Sequence, residues 1–461
     1  MSGKMGRRVG FFNTLSDPPL PAPIDKYERF LSPSVAITIP AMHTVILAIG
    51  TRGDVQPYLA LAKRLQTDAG HRVSVATSIE FEIWVRGHGL GFIPMEGNLR
   101  ELLAGEGFGK DLIHVNPVRM LFTIREMALP MLRQFFADAE RACADADFVI
   151  WGFWGVPGYD VAQKMGIPSV AGLLQPWVRT HAFPTVGMPK QVNLGRWGNF
   201  QTHRLAEQSL WQIFRPQWNK WREKSLGLPR HSVRGPYWDM VKRRYPIMYG
   251  FSPQVVPRPA DWGAHVAITG YWFLDSDPGW QPPADLARFL ESGPPPVYIG
   301  FGSMATGEAE QLTEITLEAL KQSGQRGLML AGWGGLGQGE TADHSVFVID
   351  SAPHDWLFPR MAAVAHHGGS GTTGAGLRAG VPTLVIPHFA DQPFWGWRVQ
   401  KLGVGPKPIP RPQLGARKLA EAIREMATDT GMRDRAARLG EAIRAEDGIG
   451  QAIGVIQNLL K

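Results

Sequence analysis

The 461-residue chain has one cysteine, Cys143, so it can form no internal disulfide and no multi-cysteine zinc site. It has no run of 18 or more apolar residues, which argues against a membrane-spanning helix. The basic, proline-rich start MSGKMGRRVGFFNTLSDPPLPAPIDKYERF lacks the apolar centre of a secretory signal, so the cytoplasm is the expected compartment. Neither a Walker loop nor a G-x-G-x-x-G dinucleotide fingerprint is present. The segment GEGFGK at 105–110 is followed by Asp111, where a Walker loop needs Ser or Thr. Tyrosine is scarce, with 8 residues against 16 Trp and 22 Phe. What is present is an ordinary globular balance, 44% hydrophobic and 19% charged. The formal charge of +7 permits attraction to anionic membranes or phosphorylated small molecules without demanding nucleic acid.

From residue 42 onward, apolar strands alternate with amphipathic helices. His43 to Ile49 is a continuous apolar run, as in a parallel strand buried on both faces. A turn, GTRGD, leads to a helix expected over Val55 to Gln66, and Arg72 to Thr77 supplies a second strand. Strands at Phe148 to Trp151 and Ser169 to Leu173 flank a helix around Tyr159 to Met165. After a proline-rich break the alternation restarts at Val297 to Phe301, and the tail from Leu414 reads as helices. Joined βαβ units of this kind imply an α/β protein of two Rossmann-like, doubly wound parallel-sheet domains facing a cleft. The expected organisation is a disordered arm at 1–41, a first domain at 42–274, a linker at 275–296, a second domain at 297–440 and a C-terminal helix at 441–461. Between 174 and 262 the periodicity weakens, and Trp177, Trp197, Trp211, Trp218, Trp221 and Trp238 fall there among basic residues.

Ligands of such sheets lie beyond the carboxyl ends of the strands, so the strand-end loops are where chemistry is expected. The densest is Ala365 to Thr373, AHHGGSGTT. Amides at a helix start, with its positive dipole end, suit a diphosphate, and glycines let the backbone come close. His367, Ser370, Thr372 and Thr373 can add donors; the alternative is a flexible turn capped by Thr372. Asp391 and Gln392, after the strand Thr383 to Ile386, offer acceptors and an amide donor suited to sugar hydroxyls, although Asp391 could equally cap the next helix. Ser303 is a second potential phosphate contact. Trp333 either faces a nucleobase or packs as a loop residue. Asp54 either N-caps the first helix or presents a carboxylate to the cleft, where it could take a proton from a hydroxyl. Metal pairs are poor. Asp145 and Asp147 lie on the wrong side for the cleft, Asp275 and Asp277 lie in the linker, and His366 and His367 point to opposite strand faces.

These pieces together resemble the GT-B glycosyltransferases of family 1, most closely the sterol 3-β-glucosyltransferase branch, with bacterial antibiotic transferases as cousins. The resemblance rests on GTRGDVQPYLALAKRL at 50–65, GHRVSVAT at 70–77, EFEIWVRGHGLGF at 80–92, QPWVRT at 175–180, VYIGFGSM at 297–304, GWGGL at 332–336 and the block from Ala352 to Gly396. It implies an acceptor-binding first domain and a nucleotide-sugar-binding second domain. It implies that His367, Gly369, Ser370, Gly371 and Thr372 bind the diphosphate with help from Ser303. Asp391 and Gln392 would hold glucose hydroxyls, Trp333 would lie near the base, and Asp54 would be the general base. No metal or resident cofactor is expected, a UDP-sugar being the co-substrate. The reaction would invert the anomeric centre. The plant flavonoid pattern, a His in the first loop paired with a distant Asp, is replaced here by Thr51 to Asp54.

Trp151, Phe153, Trp154 and Trp177 are the candidate acceptor-pocket residues, with ordinary core packing as the alternative. Arg196, Arg204, Arg215 and Arg222 suggest docking at anionic lipid as a peripheral contact. The alternative function is a UDP- or dTDP-sugar transferase acting on a polyketide, macrolide, flavonoid or other natural product. A third reading is a nucleotide-sugar-binding protein without transfer, or an epimerase.

Overall fold

The computed structural model describes residues 42–96, 132–188, 192–301, 309–330 and 345–461; the expected arm at 1–41 lies outside these. The first strand, β1 (His43–Leu47), is buried along its whole length, as its apolar sequence requires. It pairs in parallel with β2 (Arg72–Ser78) on one side and β4 (Phe148–Trp151) on the other, with Thr44 opposite both Val73 and Phe148. Adding β3 (Gly91–Met95), β5 (Ser169–Leu173), β6 (Ile247–Tyr249) and β7 (Val266–Ile268) gives a seven-stranded parallel sheet in the order β3-β2-β1-β4-β5-β6-β7. The second sheet holds β8 (Val297–Gly300), β9 (Gly327–Leu330), β10 (Val346–Ile349), β11 (Ala363–His366) and β12 (Thr383–Val385). Its order is β10-β9-β8-β11-β12, again all parallel. In both sheets the order reverses next to the first strand, which opens a crevice at the carboxyl ends.

Where the sequence periodicity fades, the structure has a 30-residue helix, Gly195–Lys224. Its buried face carries Asn199, His203, Glu207, Trp211, Trp218, Trp221 and Arg222, a stripe at helical spacing but largely polar. Each of the polar groups is satisfied. His203 pairs with Phe183 O at 3.1 Å, Glu207 accepts from Arg179, Trp218 Nε1 donates to Asp160 at 2.6 Å, and Arg222 bonds the same carboxylate. A stripe built from hydrogen bonds leaves no apolar period to read.

The proline-rich segment at 275–296 packs on the second domain. Its helix Ala284–Glu291 buries Leu286 and Phe289, and Leu286 joins the core of Tyr298, Leu328 and Phe358. Asp275 pairs with Arg378, and Ser276 Oγ donates to Asp355 at 2.7 Å. The chain then crosses back. The last helix, Gly448–Leu459, inserts Ile449, Ile453 and Ile456 against Ile46, Tyr58 and Leu59 of the first domain. Burying three isoleucines there contributes on the order of 6 kcal/mol. The exposed Arg64–Asp447 pair at the same junction adds less than about 1 kcal/mol. Apolar burial therefore fixes this crossing. Among the described residues, no helix is long and apolar enough to cross a membrane.

Candidate active site

The carboxyl ends of the two sheets meet across the cleft. On the first rim, the helix after β1 begins at Arg52, with Thr51 as its N-cap and Asp54 as its third residue. Thr51 N and Thr51 Oγ1 both donate to Asp54 Oδ2, at 2.8 and 2.9 Å. Asp54 is therefore the far member of a capping box and not the N-cap. Gly50 makes room for it. Its φ of +142° suits glycine, and a Cβ there would sit 2.4 Å from Asp54 Oδ2. Burial raises the Asp54 pKa above the ordinary carboxylate value, and the two Thr51 hydrogen bonds only partly oppose it. Among the described residues, Oδ1 has no hydrogen-bond partner, so a carboxylate of raised basicity has one oxygen free. Tyr58, one turn on, donates its hydroxyl to Gly172 O; burial and the Asp54 charge keep it neutral. Arg52 lies 4.9 Å over the Trp84 ring.

On the second rim, β11 runs into His366, His367, Gly368 and Gly369, and the helix Ser370–Ala379 follows. Gly368 has φ +98°, and a Cβ there would be 2.4 Å from Val385 Cγ1, so only glycine fits. The helix starts two residues earlier than Thr372. Its N-cap position is Gly369, with no side-chain cap. Thr372 therefore does not cap the turn, and the amides of Ser370, Gly371 and Thr372 form the open, positive end of the helix. The Ser370 hydroxyl is committed across the cleft, donating to Leu174 O at 3.0 Å. A Cβ on Gly371 would lie 4.0 Å from Gly53 O, so the diphosphate-type loop directly faces the Asp54 turn.

The two histidines part company as strand geometry requires. His366 is fully buried and its Nδ1 accepts from Gly368 N at 2.9 Å. The His367 ring lies 6.1 Å away at 81°, with its buried Nδ1 unpartnered among the described residues. Burial, with His388 and His354 nearby, pushes His367 down to about 3, so it is neutral at physiological pH. His354 went unnoticed in the sequence. It follows β10, stacks on Phe358 at 4.2 Å, and is pushed down to about 4 by burial and by Arg52. The strand-end rule alone would have found it.

Beyond β12, Ala390 adopts φ +56°, a left-handed conformation costly for a residue with a Cβ and typical of functional loops. It turns Asp391 into the cleft. Asp391 occupies the N-cap position of the helix Gln392–Leu402, yet its side chain does not cap. Asp391 Oδ2 accepts from Trp395 Nε1 at 2.7 Å instead. Burial first, and then the charge of Asp54 across the cleft, push Asp391 up to about 6. Gln392 is buried, with Oε1 accepting from His388 N at 2.7 Å and Phe389 N at 3.3 Å. Only its amide nitrogen remains to donate outward.

The expected acceptor residues divide. Trp151 is a correction: it is 1% exposed, its Nε1 donates to Tyr245 at 2.8 Å, and it belongs to the core because β4 carries it inward. Phe153 and Trp177 meet edge to face at 4.8 Å, and Trp154 stands out 43% exposed beside Phe153. Trp177 is buried with its indole nitrogen unpartnered among the described residues. Of the basic residues, Arg222 is unavailable to a lipid, being buried against Asp160. Ser303 and Trp333 lie outside the described residues. Among the described residues, no three His, Cys, Asp or Glu side chains converge as metal ligands.

Comparison with known proteins bears on both domains. Residues 44–172 match the glycosyltransferase family 28 N-terminal domain, and residues 340–453 match the erythromycin biosynthesis protein CIII-like C-terminal domain. The chain is 38% identical over 435 residues to the sterol 3-beta-glucosyltransferase UGT80B1 of Arabidopsis thaliana, covering 93% of this chain and 69% of that protein. It is 36% identical over 452 residues to the sterol 3-beta-glucosyltransferase of Pichia angusta, and there it spans only 35% of the relative. Among solved structures, the glycosyltransferase of kitacinnamycin superposes with a TM-score of 0.68 at 19% identity, covering 92% of this chain and 100% of the other. The calicheamicin glycosyltransferase CalG4 does so at 0.66 and 18%, covering 92% and 99%.

Proposed function

The chain belongs to the family of the sterol 3-beta-glucosyltransferases, glycosyltransferases on the GT-B fold, and from that premise we propose that it moves glucose from UDP-glucose to the hydroxyl of a sterol or sterol-like lipid. The observation that carries this reading is the opposition of Asp54 to the open helix start at Ser370, close enough for Asp391 to feel the Asp54 charge.

Asp54 Oδ1 takes the proton of the acceptor hydroxyl as its oxygen bonds to the anomeric carbon. The bond from that carbon to the β-phosphate oxygen breaks, and UDP leaves from the opposite face. An α-linked donor thus gives a β-glucoside. The ring gains oxocarbenium character on the way, as glycosyl transfer generally requires. Negative charge developing on UDP meets the amides of Ser370, Gly371 and Thr372 and an N–H of His367, a preorganised arrangement suited to an oxyanion. Neutral His367 costs little to bury, and the arriving diphosphate would itself raise its basicity. Asp391 and the Gln392 amide hold sugar hydroxyls, one accepting and the other donating. Ser303 and Trp333 are assigned to the phosphate and the base by family resemblance alone. Phe153, Trp154 and Trp177 form the apolar side of the acceptor pocket.

The test is to incubate the full chain with UDP-glucose and a panel of sterols, flavonoids and macrolides, and to identify products by mass spectrometry and anomeric coupling. A sterol β-glucoside is the expected product. Transfer confined to macrolides or flavonoids, or only from a dTDP-sugar, would replace the sterol reading with a natural-product one. UDP-sugar binding without any product would reduce the protein to a binder.

A further inference from the structure

The far end of the long helix Gly195–Lys224 lies away from the cleft. Ser225, just past that end, accepts from Lys164 Nζ at 2.9 Å through its carbonyl oxygen. Lys164 is in the last turn of the helix Pro157–Met165, which leads from the carboxyl end of β4 to the amino end of β5. The long helix therefore ends toward the amino ends of the strands, on the side opposite Asp54. There the chain turns back, and the returning loop is fastened to the helix. His231 N donates to Asn219 Oδ1 at 2.9 Å, and Asn219 Nδ2 donates to His231 O at 3.1 Å. Arg222 donates to Pro229 O, and the His231 ring is anchored beneath by Asp160 and Asp239, at 2.8 and 3.0 Å. Helix and loop are thus held in place by the protein alone.

Between them is a cavity of about 300 Å³ lined by Arg215, Pro216, Asn219, Lys220 and Arg230. The first four share one helix face, at spacings of i, i+1, i+4 and i+5. Arg230 lines it from the loop, with Nε and Nη2 at 3.0 and 2.6 Å from one oxygen of Glu223. Among the described residues, Arg215 and Lys220 pair with no carboxylate. Three cations thus stand against the single carboxylate of Glu223, a surplus of two positive charges. A concavity of one sign concentrates ions of the other.

The lining also narrows the kind of anion. Two guanidinium groups offer paired N–H donors that match phosphate oxygens, Lys220 adds an ammonium, and Asn219 has a second amide N–H to give. The lining holds no aromatic ring to stack on a nucleobase and no large apolar side chain to enter a bilayer. We propose that this cavity is a second anion site, remote from the cleft, that takes a small soluble phosphorylated anion such as inorganic phosphate or pyrophosphate. The site stands whether or not the cleft transfers a sugar.

The test is hydrogen exchange, read by mass spectrometry, on the full chain with and without sodium pyrophosphate. Protection is expected over 212–232 in the wild type. Arg215→Gln with Lys220→Gln should remove that protection without lowering the unfolding midpoint. The same pair should weaken calorimetric binding at this site at least about tenfold. Protection over 366–374 reports the cleft separately and should survive in the variant pair. Phosphatidylcholine vesicles containing phosphatidic acid should leave 212–232 unprotected. No protection there in the wild type, equal protection in the variant pair, or equal protection by sodium chloride at matched ionic strength would overturn the proposal. So would protection by the vesicles and none by pyrophosphate, which would assign the cavity to a lipid headgroup. Protection over 366–374 alone rejects the second site and leaves the donor site standing; protection over 212–232 alone does the reverse.

Discussion

The two rims of the cleft are made in opposite ways. The second is centred on one contiguous stretch, residues 363–392, in which backbone amides, glycines and a left-handed Ala390 set the shape, with His354 packed beside it. The first is assembled from side chains that leave β1, β2, β4 and β5, far apart in sequence and dependent on the sheet to bring them together. A site made of backbone must spell its geometry in glycine. A site made of side chains need only place suitable residues at strand ends, where core residues look the same.

The sharpest way to separate the rims is Asp54→Asn. The amide oxygen can keep the Thr51 contacts, so turnover should fall about 10²- to 10⁴-fold in steady-state kinetics with the fold intact. Unchanged turnover would remove the first rim from the chemistry. Gly368→Ala attacks the other rim. With φ +98° and Val385 Cγ1 2.4 Å from the new Cβ, it should cost about 2–4 kcal/mol in denaturant unfolding.

Asp391→Asn probes the coupling between them. The folded carboxyl titrates at about 6, above its ordinary 3.8, so between those values the folded chain keeps a proton that the unfolded chain has lost. Stability therefore falls as pH rises through that window, and the cost is fully present at neutral pH. Asp391→Asn should raise neutral-pH stability by about 1–2 kcal/mol in thermal unfolding, with no gain below the ordinary carboxylate range. It should also raise the sugar-donor KM. In the wild type, kcat/KM should fall as pH drops through about 6 and Asp391 takes up its proton.

The smallest contrast lies within the first rim. Trp151→Phe loses the Tyr245 hydrogen bond and should cost about 1–2 kcal/mol with the acceptor KM unchanged. Trp154→Ala should change the acceptor KM and leave stability within about 0.5 kcal/mol.

The same division explains what could be read from the chain. β1, β4, β5, β8 and β11 announce themselves as short apolar runs, and AHHGGSGTT places a helix start after a strand. The helix Gly195–Lys224 was illegible because its inward face is hydrogen-bonded Asn, His, Glu and Arg. Trp151 and Trp154, three residues apart, have opposite fates because Trp151 ends the buried strand β4 while Trp154 stands in the short turn Phe153–Gly155 that follows it. Asp54 and Asp391 each looked like a helix cap. One is the third residue of its helix, and the other holds a tryptophan instead.

The most direct measurement is calorimetric titration of UDP into the full chain, its Asp54→Asn form and its Gly368→Ala form. One UDP should bind per chain in the wild type and in Asp54→Asn, and none in Gly368→Ala. No heat with the wild type, or equal affinity in Gly368→Ala, would contradict a diphosphate site built from the backbone after β11.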